Sequence, residues 1–188
     1  MTRACCCLAT LSAGCTTQLI DGPSGSAPLV PIMPWRTSGA HSDCDNPAYF
    51  GVTHSIDAQK NDNAACLNAG NKAWIQLDLG AVRTITSVVT TGRLASNQWV
   101  TMYTVSVSKD GSTFVAVPCK NQDKDGRCVG NTDTTTRKVN PLKASVQARY
   151  VRVSVKDYHY YASLQMGVEV CTGPGMQLLS PPRHATPS

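Results

Sequence analysis

The sequence is nearly devoid of glutamate: of its 12 acidic residues only Glu169 is one. Charged residues make up 15% of the chain and aromatics 6%, with phenylalanine present twice. One glutamate and scattered aspartates leave little from which to assemble a paired acid/base set, so glycosidase chemistry is not expected. No apolar run approaches the roughly 18 residues that a membrane-spanning helix requires. No Asn-x-Ser/Thr sequon occurs, so N-glycosylation is not expected. The 17 basic residues leave a formal charge of +5, too mild and too evenly spread for a nucleic-acid partner. Strong helix formers are few while Thr and Val abound, which argues for a mostly β chain.

What the chain has in excess is cysteine, nine in 188 residues. A cytosolic protein would rarely carry so many thiols without a metal or redox task, whereas a secreted one uses them as disulfides. Residues 1–14, MTRACCCLATLSAG, have the outline of a short secretory signal peptide: a positive charge at Arg3, an apolar stretch, then small residues. Residues 15–35 form an extended approach segment rich in Pro, Gly and Ser, where Pro23, Pro28, Pro31 and Pro34 forbid a helix. Residues 172–188 have turn-breakers and no periodicity, and read as a disordered tail. The globular unit is therefore expected over residues 36–171.

Within it the period is two. Ile75, Leu77 and Leu79 alternate with Gln76 and Asp78, and Gly80 ends the run. Residues 84–91 form a second β-branched run, stopped by Gly92. Tyr103, Val105 and Val107 share a face, Asp110-Gly111 reads as a tight hairpin turn, and Phe114, Val115 and Val117 follow it. Val151, Val153 and Val155 alternate again, and Met166 to Val170 form a last strand before Cys171. No ten-residue stretch has capped helical periodicity, so short strands separated by turns predict a sandwich or a barrel.

The stretch AWIQLDLGAVRTITSVVTTGR at 73–93 resembles the signature of the discoidin family, the coagulation factor V/VIII type C domain. The resemblance continues in order through Trp99-Val100-Thr101, Tyr103 to Gly111, Gly130-Asn131-Thr132-Asp133 and Ala148-Arg149-Tyr150-Val151-Arg152, and closes at Cys171. It implies an eight-stranded, jelly-roll-like β-sandwich whose chain ends meet at one pole while ligand loops project from the other. It also implies a binding module and not an enzyme. The chain departs from the family where Gln165 and Gly167 replace an arginine and a glutamate, so both halves of that charge pair are gone together. In glycan-binding relatives the glutamate helps hold a structural calcium. With Gly167 in its place, the weak calcium candidates are Asp57 and Glu169, and no cofactor is required.

The family's terminal disulfide implies a partner for Cys171 at the start of the domain, Cys15 or Cys44; Cys44 follows the 36–39 region that resembles the first strand, which favours Cys15–Cys171. Cys119 and Cys128 bracket the polar loop KNQDKDGR as a local pair, and Cys44 with Cys66 remains. Cys5, Cys6 and Cys7 fall in the leader. A zinc quartet of His41, Cys44, His54 and Cys66 is the rival reading, but its spacing fits no compact zinc motif. Asp123-Lys124-Asp125-Gly126 resembles the start of a calcium loop, yet the later ligands are missing and a polar hairpin tip is expected instead.

By the resemblance, three segments map to the ligand pole: residues 41–49, 93–99 and 157–161. Sugar recognition requires a flat aromatic face for the C–H side of the ring and planar polar groups for the hydroxyls. The expected ligand residues are therefore His41, Asp43, Asp45, Tyr49, Arg93, Asn97, His159, Tyr160 and Tyr161. Trp99 and Tyr158 are expected to be structural. The reading is a secreted, extracellular module that binds a glycan or glycoprotein in adhesion or recognition. The alternative is a docking module for acidic phospholipid or protein without sugar affinity. Leu94 is the one apolar residue of these loops suited to a membrane, which tilts the reading toward glycan.

Overall fold

The structure is a computed structural model that describes residues 15–20, 35–41, 44, 50, 64–68, 70–93 and 96–172. The candidates Asp43, Asp45, Tyr49, Asp57 and His54, the leader and residues 173–188 lie outside the described residues. Among the described residues there are nine strands and no α-helix, with 3-10 conformation at Cys44 and at Gly70–Lys72. The strands are β1 (Thr16–Ile20), β2 (Trp35–Thr37), β3 (Ala65–Cys66), β4 (Trp74–Thr91), β5 (Trp99–Ser108), β6 (Val115–Val117), β7 (Cys128–Val129), β8 (Lys138–His159) and β9 (Ser163–Thr172). β3 and β7 are two-residue pairings, and every pairing is antiparallel.

Two long strands, β4 and β8, build both layers of the sandwich. The first half of β4 pairs with β2 and with residues 150–154 of β8; its second half pairs with β9 and with residues 138–148. The ladder breaks between Asp78 and Arg83, where the paired ribbon turns from one layer into the other. Gly80 makes the turn with φ of 72°, a left-handed conformation that a side chain would strain. The two runs that the sequence separates at Gly80 are thus one bent strand. At the bend Asp78 accepts two hydrogen bonds from the Arg149 guanidinium, at 2.8 and 2.9 Å, and one from the Gly80 N–H at 2.8 Å. Burial pushes the Asp78 carboxyl up, but these donors outweigh it and hold the group below the usual carboxylate range.

The alternating residues meet in one core. Ile75, Leu77, Leu79, Tyr103, Val151, Val153 and Val155 have no exposed surface, and Leu164, Met166 and Val168 pack against them. Each such side chain contributes roughly 1.5–3 kcal/mol by leaving water. A polar seam runs beside this core. Asn131 accepts from the Thr90 hydroxyl at 2.8 Å and donates to the carbonyls of Thr90 and Thr136, at 3.2 and 2.7 Å. Asn140 donates to the Tyr103 hydroxyl at 2.6 Å and to the Val129 carbonyl at 2.8 Å. Burial pushes the Tyr103 phenol up to about 12. Gly130 lies so close to the Val100 carbonyl that no Cβ fits there, which explains the glycine before Asn131.

The three disulfides are Cys15–Cys171, Cys44–Cys66 and Cys119–Cys128, the pairs expected. Cys15–Cys171 ties β1 to β9 at the pole of the β4–β8 bend, which is the closing pole: Thr84 of β4 lies beside both Cys171 and Gln147. The loop inside Cys119–Cys128 is a self-contained hairpin. Asp123 accepts the N–H groups of Asp125 and Arg127 and pairs with the Arg127 guanidinium at 2.6 Å, so its carboxylate is consumed by the turn.

Candidate functional site

The opposite pole carries a cleft of about 200 Å³ lined by His41, Cys44, Cys66, Arg93, Gln98 and Tyr161. Three of the expected ligand residues thus converge: His41, Arg93 and Tyr161, one from each of the three segments. Each is positioned by backbone. The His41 N–H donates to the Cys66 carbonyl at 2.8 Å, and its own carbonyl accepts the Cys44 N–H at 3.0 Å. The Cys44–Cys66 disulfide then fixes this turn against β3 and walls the cleft. Arg93 follows β4 directly; its N–H donates to the Gln98 carbonyl at 2.9 Å and closes the 93–98 loop. Tyr161 sits in the turn between β8 and β9, its N–H on the His159 carbonyl and its hydroxyl donating to Asn68 at 3.1 Å.

Gln98 is the residue that sequence reasoning passed over. Its side-chain oxygen accepts from Arg93 Nη1 at 3.4 Å and from the Ser163 hydroxyl at 2.8 Å. It therefore ties the guanidinium of Arg93, a residue only 8% exposed, to the start of β9. The only sequence signal was its place inside the 93–99 segment. Beneath the cleft, Thr91 donates its hydroxyl to Gln165 at 2.8 Å. A neutral amide in that buried site requires no counter-ion.

Beside the cleft stands an aromatic shelf. The Trp99 and His159 rings stack with centroids 4.0 Å apart and planes 14° from parallel, and Tyr160 meets His159 edge-on at 4.1 Å. Trp99 is only partly buried, so it is a shelf residue as well as a packing one. Tyr160 is 74% exposed and has φ of 57°, the one non-glycine with positive φ among the described residues. A bulky residue held there costs about 1–3 kcal/mol and marks a place where presentation of the side chain outweighs local comfort. Asn97 is exposed at the loop tip and does not line the cleft. Glu169 lies mid-strand in β9, paired with Leu19 and Ser87, away from this pole. Among the described residues no group of three or more His, Cys, Asp or Glu could hold a metal.

The described residues form a two-layer β-sandwich whose first and last strands are disulfide-tied at one pole, with a loop-built polar cleft at the other. The F5/8 type C domain family matches residues 38–170, and the chain belongs to that family. Its members are binding modules, and this chain is a ligand-binding module. Among curated relatives, mouse (Mus musculus) lactadherin is 30% identical over 164 residues, spanning 84% of this chain and 35% of that protein. Retinoschisin of Takifugu rubripes is 26% identical over 102 residues, 54% of this chain and 36% of that one. The chain spans about a third of the length of these relatives. In solved structures the same fold occurs in discoidin II of Dictyostelium discoideum, with a TM-score of 0.57 and 19% identity over 73% of this chain and 55% of that one. It also occurs in a family 32 carbohydrate-binding module of C. perfringens in complex with galactose, with a TM-score of 0.52 and 13% identity over 72% and 91% of the two chains.

Proposed function

We propose that the chain binds a single terminal sugar ring in the cleft at the loop pole, as a secreted recognition module for glycans of a cell surface or matrix. The observation that carries this is the convergence of His41, Arg93, Gln98 and Tyr161 on one small cavity beside the half-buried Trp99–His159 stack and the exposed Tyr160. Planar donors and acceptors suit ring hydroxyls, and an aromatic face suits the C–H side of a pyranose. The galactose complex of a neighbouring fold supports the same class of ligand. Three disulfides belong in an oxidising compartment, which supports secretion. No helix of the described residues is long and apolar enough to cross a membrane. A shallow one-ring site binds weakly, and repeated copies on a surface would strengthen it.

The test is a glycan array of galactose-, N-acetylgalactosamine- and uronic-acid-terminated oligosaccharides, followed by titration calorimetry. Wild type should bind one class, and Arg93→Ala should weaken binding at least about tenfold, the loss of one charged hydrogen-bond donor. Silence across the array would overturn the reading. A second reading, docking to acidic phospholipid, is favoured by the exposure of Tyr158 and Tyr160, 36% and 74%, at the same pole. Sedimentation with phosphatidylserine vesicles, lost in Tyr160→Ser, would support it.

A further inference from the structure

A larger cavity lies at the closing pole, far from the sugar cleft. Its volume is about 410 Å³, and its walls include Val107, Val115, Val117, Val146 and Ala148, with Lys109 at the rim. Val115 is 63% exposed and lies beside the apolar Val107, Val117 and Val146 of the same wall, so the groove carries a contiguous apolar face. The groove runs between two sheet edges. On one side β6 pairs only with β5. On the other, residues 146–148 of β8 pair with β4, and β5 joins β8 only from Tyr150 onward. Among the described residues no strand pairs with the second edge of either segment. An apolar groove flanked by open edges is the geometry that accepts an added extended strand.

The chain itself supplies a segment of the right kind at the right place. Cys171, Thr84 and Gln147 lie abreast on β9, β4 and β8. At about 4.8 Å per strand, the chain leaves β9 roughly 10 Å from the groove wall. Beyond Thr172 the sequence is polar and rich in turn residues except for Met176-Gln177-Leu178-Leu179. Leu178 is six residues past Thr172, a reach of about 20 Å when extended. Met176 and Leu178 fall on one face of such a strand. At the rim the Asp110 carboxylate, which stays charged, accepts the N–H groups of Ser112 and Thr113 and the Ser108 hydroxyl and so holds the 108–113 turn in place. We infer that the groove at the closing pole docks the chain's own Met176–Leu179 segment as an added strand along the β8 edge at residues 144–148.

The full chain tests this by backbone amide exchange and by chymotrypsin, which cuts after leucine. In the wild type, amides of residues 144–148 should exchange about tenfold more slowly than in a Leu178→Asp, Leu179→Asp double variant. Cleavage at Leu178 and Leu179 should accelerate about tenfold in Val115→Asp, a change at an exposed position that leaves the melting temperature in place. Equal exchange in wild type and double variant, or equal cleavage with and without Val115→Asp, would overturn the proposal. So would protection that grows with protein concentration, which would assign the groove to a second copy.

Discussion

The two poles of the sandwich use the same residue types to opposite ends. At the closing pole an arginine meets a carboxylate in a bidentate pair, Arg149 with Asp78, and a second carboxylate, Asp110, is consumed by its own turn. At the ligand pole Arg93 meets the carboxamide of Gln98, and His41, Tyr161 and the aromatic shelf arrive from separate loops around an open cleft. The first arrangement satisfies polar groups internally and leaves little for a polar ligand. The second holds them in position around empty space. Charge pairing holds the fold at one end, and at the other a partly neutral setting leaves polar groups around an open cleft.

The disulfides give the sharpest way to break this contrast. Cys15–Cys171 spans 156 residues and Cys44–Cys66 spans 22. Chain entropy predicts losses of about 5 and about 3 kcal/mol when each is removed. Cys15→Ser with Cys171→Ser should give the larger drop in chemical denaturation, yet leave the sugar affinity of the folded protein unchanged. Cys44→Ser with Cys66→Ser should cost less stability and weaken affinity about tenfold, because the disulfide anchors the His41 turn. The reverse ranking of affinities would erase the division between the poles.

The polar seam should yield the next effect. Asn131→Ala removes one acceptor and two donors from a buried site and leaves the carbonyls of Thr90 and Thr136 short of partners, at a cost of about 3 kcal/mol. Tyr103→Phe strips one of two acceptors from the Asn140 amide and should cost about 1–2 kcal/mol. Thermal melting of both variants ranks them.

Acid should act first where carboxylates are held charged. Asp78, Asp110 and Asp133 have folded carboxyls below their ordinary value; the largest causes of lowering are the Arg149 side chain, the Thr113 N–H and the Thr136 N–H. Unfolding returns them to about 3.9, so their stabilising contribution is complete above that pH and is lost as pH falls through the folded values. Melting temperature should hold from pH 7 to about 5 and fall below about 4. Arg149→Met should lower the plateau and shallow that fall, since Asp78 then has less charge pairing to lose. A fall of unchanged depth in Arg149→Met would remove Asp78 from the account.

Much of the fold was legible because burial and alternation coincide: Ile75, Leu77 and Leu79, or Val151, Val153 and Val155, each put one apolar row inward. The first half of β8 was not. There Asn140 points inward with no exposed surface while Val139 is 38% exposed, and Pro141 sits in the strand, so the apolar period is reversed. The loop segments of the site were legible through the family resemblance, but not which residues meet. His41 and Tyr161 are 120 residues apart in sequence and become neighbours only because the Cys44–Cys66 turn and the β8–β9 turn reach the same cleft. Gln98 was silent because its role depends on Arg93 and Ser163, and neither contact leaves a pattern along the chain.

The smallest effect concerns the residue where the two demands collide. Tyr160 stands at φ of 57° with 74% of its surface exposed, so the backbone is disfavoured and little burial compensates. Glycine adopts that conformation without the Cβ penalty, while giving the unfolded chain more freedom. The two terms leave Tyr160→Gly a net gain of about 0.5 kcal/mol. The same change removes the outer ring of the shelf against which a sugar or a lipid headgroup would lie, so affinity should fall a few-fold while the melting temperature rises slightly. Opposite signs in the two measurements would identify Tyr160 as a residue kept for presentation at the expense of stability. A parallel loss of both would instead make its edge-on contact with His159 part of the structural support of the loop.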